Sequence, residues 1–415
     1  MKRLPLLALA LLLTISGGPG VVAQDDATTE LVDGNTAFAL DLYGVLGQDG
    51  EGNLFVSPYS ISQALAMTYA GANGDTATQM ADVMHFSLGP DGLPVAFQTL
   101  NGDLLTRGTA GADPDRGYPP RSLQIANGLW GEQTFPFSTP FSDQLAEYYG
   151  AGLQAADFQN DPDGVRDEID GWVAEHTEDK IQDIVPEGAI TEDSRLVLAN
   201  AIYFYGGWLH TFDEGSTTDG DFHLIDGTTA SVPFMGQQAH FSYGTGDGFQ
   251  VIELPYAGSN FAFTVILPDE GQFDAVEGAL DPAALDTALA GLGSRELILT
   301  LTKFEFEYSA SLADMLKSLG MTDAFDANLA NFSGMLDASA PEPLVIGDVL
   351  HKAFIRVDEE GTEAAAATTV MMVGAGAPTD PPLEVSVDRP FIFLIRDTET
   401  GAILFIGRVM DPSGA

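Results

Sequence analysis

Six histidines and no cysteine limit the chemistry open to this chain. Without a thiol there is no cysteine nucleophile, no Cys-ligated zinc and no disulfide. The histidines are scattered at 85, 176, 210, 223, 240 and 351, none at tight ligand spacing. Neither G-x-S-x-G nor H-E-x-x-H occurs, so hydrolase and metalloprotease readings find no support. Gln159-Asn160-Asp161-Pro162-Asp163-Gly164, with Asp170 beyond, has a faint likeness to a calcium loop. Gln at its first position and Asp at its last fit that chemistry poorly. It reads instead as a surface loop leading into a helix at 167–176. No catalytic residue, metal or cofactor is expected.

The segment that stands out is Gly361-Thr362-Glu363-Ala364-Ala365-Ala366-Ala367-Thr368. Helix propensity alone would make it a short Ala-rich helix. On a two-residue period it reads differently. Thr362, Ala364, Ala366, Thr368 and Val370 fall on one face, small and mostly apolar, and Glu363, Ala365, Ala367 and Thr369 on the other. Such a strip can slide between two strands with its small side chains buried and Glu363 in water. Gly361, lacking a Cβ, suits a pivot where a loop turns into a strand.

The elements that would position this strip alternate in blocks. Helical spacing covers Ser60–Tyr69, Thr76–Met84, Phe141–Tyr149 and Asp167–His176, with Ser57 and Asp75 as caps. Strand patterns cover Leu123–Trp130, Leu196–Tyr205, Phe249–Pro255, Phe261–Leu267, Leu297–Tyr308 and Phe391–Asp397. The clustering of strands favours an α+β fold with large mixed or antiparallel sheets. The stretch 109–121, rich in Gly, Pro and Asp, reads as a surface excursion, and there is no internal repeat.

Several stretches together resemble the serpin family. They are Asn53-Leu-Phe-Val-Ser57-Pro58-Tyr-Ser60, then Leu198-Ala-Asn200-Ala-Ile-Tyr-Phe-Tyr-Gly-Gly-Trp208 with Phe212, and Glu253-Leu-Pro255-Tyr256. Ile266-Leu-Pro268, Lys303-Phe304 and Leu319-Gly320-Met321 follow, then His351 through Thr368, Asp388-Arg389-Pro390-Phe391 and Phe405-Ile-Gly407-Arg408-Val409. They keep the family's order over nearly the whole chain after the first residues. Thr302 departs from a usual Pro, and Tyr205 from a common Lys.

The resemblance implies an α+β serpin fold with three β-sheets, eight or nine helices and an exposed reactive-centre loop at about 359–383. It implies a suicide-substrate inhibitor of serine-type endopeptidases, not an enzyme. The hinge would be Glu359, Gly361, Thr362, Glu363, Ala364, Ala365, Ala366, Ala367 and Thr368. Ser57, Ser60, Asn200 and His351 would form a hydrogen-bonded cluster under the centre of the sheet. Trp208 would cover the point where the loop enters, and Lys303 would pair with Glu359. Counting from Gly361 puts the reactive bond at Ala375-Gly376, and counting back from Pro390 puts it about four residues later, so candidates span Val373 to Thr379. These are small and uncharged, which suits an elastase-like or subtilisin-like target. No Arg or Lys lies in the loop. The expected partner is a target protease held as a covalent acyl-enzyme, with the inhibitor a monomer. The alternative is a serpin that carries a ligand or binds a partner without inhibiting. Relatives of that kind tend to have bulky or charged hinges.

Lys2 and Arg3, the apolar run Leu4–Ile15 and Val21-Val22-Ala23 read as a signal peptide over 1–23, cut after Ala23. Residues 24–34 would be a polar tail or the start of the first helix, and 35–415 the domain. The protein is expected to be secreted and extracellular. Of the 415 residues, the about 390 left after removal of 1–23 would bury roughly three quarters of their unfolded surface without disulfides. The 61 acidic residues face 16 basic ones, and removal of Lys2 and Arg3 leaves 14, a net charge of −47. Nucleic acid, anionic membranes and heparin-like polyanions are therefore poor partners.

Overall fold

A computed structural model describes residues 19–49, 52–110, 113, 121–150, 152–341, 343–362 and 381–414. The chain opens with α1 (Pro19–Asp49), β1 (Leu54–Val56), α2 (Pro58–Tyr69), α3 (Gly74–Met84) and α4 (Gly89–Gly108). Next come β2 (Arg121–Glu132), α5 (Thr139–Tyr149), β3 (Leu153–Ala156), α6 (Pro162–His176) and β4 (Leu196–Gly207). A run of strands follows: β5 (Thr218–His223), β6 (Thr229–Gly246), β7 (Phe249–Pro255) and β8 (Phe261–Pro268). Then stand α7 (Phe273–Gly278), α8 (Pro282–Ala290), β9 (Gly293–Thr302), β10 (Phe304–Ser311) and α9 (Ala313–Leu319). The chain closes with β11 (Leu350–Val357), β12 (Gly361–Thr362), β13 (Leu383–Val387), β14 (Phe391–Asp397) and β15 (Ile403–Val409).

Nine α-helices among the described residues agree with the expected number. Among the described residues the strands form two hydrogen-bonded sheets where three were expected. One has six strands in the order β10-β11-β12-β4-β2-β3, the other nine in the order β1-β15-β14-β8-β7-β6-β9-β13, with β5 on β6. The cause is β6. Over its 18 residues it pairs with β5, then β9, then β7, so one long strand joins what would otherwise be two sheets.

Local chemistry explains the helices that matter. Ser57 caps α2 by accepting from the Ser60 N–H at 3.2 Å, with Pro58 at the first helical position. Pro58 through Thr68 are all buried, the polar Ser60, Ser62, Gln63 and Thr68 included, so α2 is enclosed on every side. In the faint calcium-loop stretch, Asp161 accepts from the Gly164 N–H at 3.1 Å and Pro162 follows as first helical residue. The stretch is thus the start of α6, five residues ahead of Asp167. Among the described residues no group of three or more acidic, His or Cys side chains is placed to hold a metal. Asp75 lies in the first turn of α3, after its N-cap Asn73. Residues 24–34 are helical throughout, and Leu31 and Val32 are buried, so the domain begins earlier than the expected boundary at 35.

The single strand expected over Leu297–Tyr308 is two strands. At Lys303 the chain leaves the nine-stranded sheet for the six-stranded one. Between the sheets lies an aromatic column. Phe55 stacks on Phe405 at 4.9 Å, Phe263 on Phe393 at 5.2 Å, and Phe304 lies 5.8 Å from Phe393.

Candidate functional site

The site is built where β11 ends. The chain turns through Asp358-Glu359-Glu360 and returns as β12, with Asp358 N–H donating to the Gly361 carbonyl at 3.0 Å. β12 is wedged between two longer strands: Thr362 pairs with Val357 of β11 and Gly206 of β4, and Gly361 with Gly207. The wedge demands glycine. A Cβ on Gly361 would lie 2.2 Å from the Gly206 carbonyl oxygen and 2.7 Å from the Gly207 Cα. The sequence suggested a pivot at Gly361, and the structure adds close backbone approach as the reason for glycine here.

Thr362 is 3% exposed, and its hydroxyl is 2.5 Å from the Tyr256 phenol oxygen. Burial pushes the Tyr256 phenol far above its ordinary value, so it stays neutral. Tyr256 in turn stacks on Trp208, centroids 4.8 Å apart and planes 11° apart. Trp208 donates from Nε1 to the Asp358 carbonyl at 2.9 Å and from its backbone N–H to the Glu360 carbonyl at 2.8 Å. Phe212 N–H donates to the Glu359 carbonyl at 2.9 Å. The turn below the loop is therefore held carbonyl by carbonyl.

Glu359 is anchored by its side chain. Lys303 Nζ lies 2.6 Å from Oε2, and Thr217 donates to Oε1 at 2.6 Å. Burial alone would raise the Glu359 pKa, but the hydrogen bonds from Lys303 and Thr217 outweigh it and hold the group below its ordinary value. Glu360, one residue on, is raised by burial and by the charges of Asp358 and Glu214.

Lower in the same sheet stands His351, on β11 and 5% exposed. Its Nε2 accepts from the Ser57 N–H at 3.2 Å, which leaves the ring proton on Nδ1. Burial drives its pKa down to about 4. Ser57 Oγ donates to the Leu404 carbonyl at 2.7 Å, tying α2 to β15. Ser60 joins through its backbone, while its hydroxyl is buried without a partner. Asn200 lines the same cavity as His351, together with Ile61, Leu65 and Leu198. Its amide donates to Asn127, directly opposite it on β2, and not to the other three; its Oδ1 is buried and unpartnered. The expected four-residue cluster is thus a Ser57–His351–Ser60 group with Asn200 beside it. Asn127, Thr217 and Tyr256 were missed as partners. Tyr256 lay within a stretch that carried the resemblance and Asn127 within the expected strand Leu123–Trp130, whereas Thr217 lay in neither.

β4 pairs on its far side with β2, and β11 with β10. Among the described residues, β12 alone links the two inner edges; from Tyr205 down to Leu196 and from Arg356 down to Leu350 they share no ladder. Glu363, Ala364, Ala365, Ala366, Ala367 and Thr368 lie outside the described residues, as do the reactive-bond candidates Ala375 and Gly376 and the first 18 residues of the leader. The chain is described again from Pro381, whose carbonyl accepts from Arg295 at 3.3 Å just before β13.

Comparison with known proteins agrees with this geometry. The family model described as Serpin (serine protease inhibitor) matches residues 33–412. A serpin-like protein of Thermococcus kodakarensis is 37% identical over 392 residues, 94% of this chain and 88% of that one. The leukocyte elastase inhibitor of Homo sapiens is 36% identical over 397 residues, 92% of this chain and all of that one. The native-state structure of the thermophilic serpin tengpin superposes with a TM-score of 0.81 at 30% identity, covering 92% of this chain and 94% of that one. A match across 33–412, carried by a fold that binds a loop base between two sheet strands, places this chain in the serpin family of serine protease inhibitors.

Proposed function

We propose that this protein is a secreted, irreversible inhibitor of serine endopeptidases with a shallow apolar specificity pocket, elastase-like or subtilisin-like. One observation carries the reading. Gly361 and Thr362 already sit in register between β11 and β4, so the chain that follows is poised to continue as a strand between them. The small side chains of 364, 366, 368 and 370 suit that place.

In the proposed reaction the protease serine Oγ attacks a loop carbonyl carbon. The peptide C–N bond breaks, and the new amine leaves with a proton from the protease's general acid. An ester joins the two proteins. The released N-terminal part of the loop then adds to the sheet. From Gly361 to Ala375 is 14 residue steps, roughly 46 Å at about 3.3 Å each, enough to carry the tethered protease along the body. About ten new ladder bonds at about 0.5–1.5 kcal/mol net give on the order of 10 kcal/mol. Loss of one oxyanion-hole donor costs a protease about 3–4 kcal/mol, so strand addition can distort the catalytic site and hold the ester. Export through the leader at 1–23 and a monomeric state belong to the same reading.

The test is incubation with pancreatic elastase and with subtilisin. The expected result is a complex that survives boiling in SDS, with a released C-terminal peptide whose mass places the cut between Val373 and Thr379. Cleavage with both proteases left fully active would overturn inhibition and favour a carrier or partner-binding serpin.

A further inference from the structure

A second cleft is lined by α4, β2, the end of α5 and α6, and none of its lining residues belongs to the loop base. Its volume is about 660 Å³, within the roughly 300–1,000 Å³ of small-ligand sites. Among its described lining residues there is no Lys or Arg, and Glu147 is the one acid. One wall is aromatic. Trp172 and His176, one turn apart on α6, stack with centroids 4.3 Å apart and planes at 31°. The indole is fixed in place: Trp130 meets it edge-on at 5.3 Å, and a Cβ on Gly128 would lie 3.3 Å from it. Trp172 is nonetheless only half-buried, while the other two tryptophans, Trp130 and Trp208, are buried. An immobile, half-open indole is a platform for the apolar face of another ring.

The other walls carry neutral amides, each with one end already committed. Asn101 Oδ1 accepts from the Tyr59 hydroxyl at 2.6 Å, Asn127 Oδ1 accepts from Asn200, and Gln98 Nε2 donates to the Glu147 carbonyl at 2.7 Å. The NH2 groups of Asn101 and Asn127 are left as donors and Gln98 Oε1 as an acceptor, each oriented by the bond at its other end. His176 adds a second acceptor. Its Nδ1 lies 2.8 Å from the Trp172 carbonyl, which can only accept, so Nδ1 carries the proton and Nε2 of the neutral ring the lone pair. Tyr149, 6% exposed, also lines the cleft, and its hydroxyl is buried without a partner. Buried polar groups are almost always paired, so this orphan points to something absent from the cleft. Uncharged donors and acceptors beside a fixed ring match a ligand whose polar groups both donate and accept. Hydroxyls do so, and a sugar ring sets them around an apolar C–H face.

We propose that this cleft binds a neutral oligosaccharide, with one sugar ring on Trp172 and its hydroxyls on Gln98, Asn101, Asn127 and His176. An anionic sugar is disfavoured twice, by the lack of cations in the cleft and by the acidic body around it. The proposal stands apart from the inhibitory reading, because it uses none of the loop-base residues.

The experiment is a calorimetric titration of the whole purified protein with neutral trisaccharides of glucose, galactose, mannose and N-acetylglucosamine, and with a sulfated trisaccharide. At least one neutral trisaccharide should bind saturably and shift the tryptophan emission, since Trp172 is the indole it can reach. Trp172→Leu should weaken that binding about tenfold, as loss of a ring-stacking contact predicts. Gln98→Ala, at an exposed position, should weaken it by a factor of about three to ten, the loss of one hydrogen bond. That variant should keep the parent's melting temperature, and it decides the question if Trp172→Leu does not fold. Binding of no neutral trisaccharide overturns the proposal. So does binding that neither variant weakens, or tighter binding of the sulfated trisaccharide than of every neutral one.

Discussion

Gly361 and His351 show how single positions set the behaviour of the site. A methyl on Gly361 would meet the Gly206 carbonyl at 2.2 Å, and backbone cannot give way as a side-chain tip can. Gly361→Ala should destabilise the intact protein by about 1–3 kcal/mol, read as a lowered melting temperature. An unchanged melting temperature would mean that β12 is not held between its neighbours. His351 predicts a pH effect. Its buried imidazole stays neutral until about pH 4, whereas in the unfolded chain it takes up a proton near pH 6.5. The stabilisation is therefore full above pH 6.5 and is lost as the pH falls toward 4, by up to about 3 kcal/mol. His351→Gln keeps an acceptor for the Ser57 N–H and removes the titration, so the variant should lose less stability than the parent between pH 6.5 and 4. Equal losses would overturn the assignment. Glu359 works in the same direction at lower pH: its depressed pKa gives stability above its ordinary titration range that is lost as it protonates.

Elements that carried strong local signals were legible in the sequence. The apolar periods and the Ser57-Pro58 cap marked α2, and β7 and β14 begin and end where their patterns do. α4 was not legible because Pro90, Gly92, Pro94 and Gly102 interrupt it; Leu93, Phe97, Leu100 and Leu104 nonetheless hold its buried stripe. The change of sheet at Lys303 was hidden because β9 and β10 both alternate and no turn residue separates them. At the site, the Lys303–Glu359 pairing followed from the resemblance, but Asn200's bond to Asn127 is a matter of cross-strand register that no local pattern records. Nor did the sequence announce the segment after α6. It runs across the outer face of the six-stranded sheet, with Glu178 accepting from Gln124 of β2, Lys180 over the Phe354 ring of β11, and Lys352 donating to the Gln182 carbonyl at 2.8 Å. Glu178, Asp179 and Asp183 all have positive φ, at 51°, 61° and 50°, which non-glycine residues adopt at a cost. Such a strap should open locally before the rest of the molecule. Lys352→Ala removes the Gln182 bond and the 3.1 Å pairing with Glu307. Amide hydrogen exchange over 177–190 should quicken several-fold while α2 and β14 keep the parent's rates. Uniform quickening would mean that the strap is not an independent unit.

The whole molecule is governed by its charge. With 61 acidic residues against 16 basic ones, the folded surface repels itself, and compaction works against that field. Salt shortens the reach of the repulsion, from a Debye length of about 10 Å at 0.1 M to about 3 Å at 1 M. Among the described residues several ion pairs are largely buried, such as Arg396 with Glu253 at 2.5 Å and Arg408 with Glu277 at 2.9 Å, and these lose little to screening. Net repulsion is therefore the larger salt-sensitive contribution, and the intact protein should melt several degrees higher at 1 M KCl than at 0.05 M. Chloride is used because sulfate would stabilise by exclusion from the surface whatever the protein's charge. Association with a cationic protease should respond with the opposite sign: the acidic body attracts it from a distance, and salt removes that attraction. Stopped-flow measurement across the same KCl series should thus give an association rate that falls while the melting temperature rises. Both quantities falling together would mean that ion pairs, and not self-repulsion, dominate the surface of this molecule.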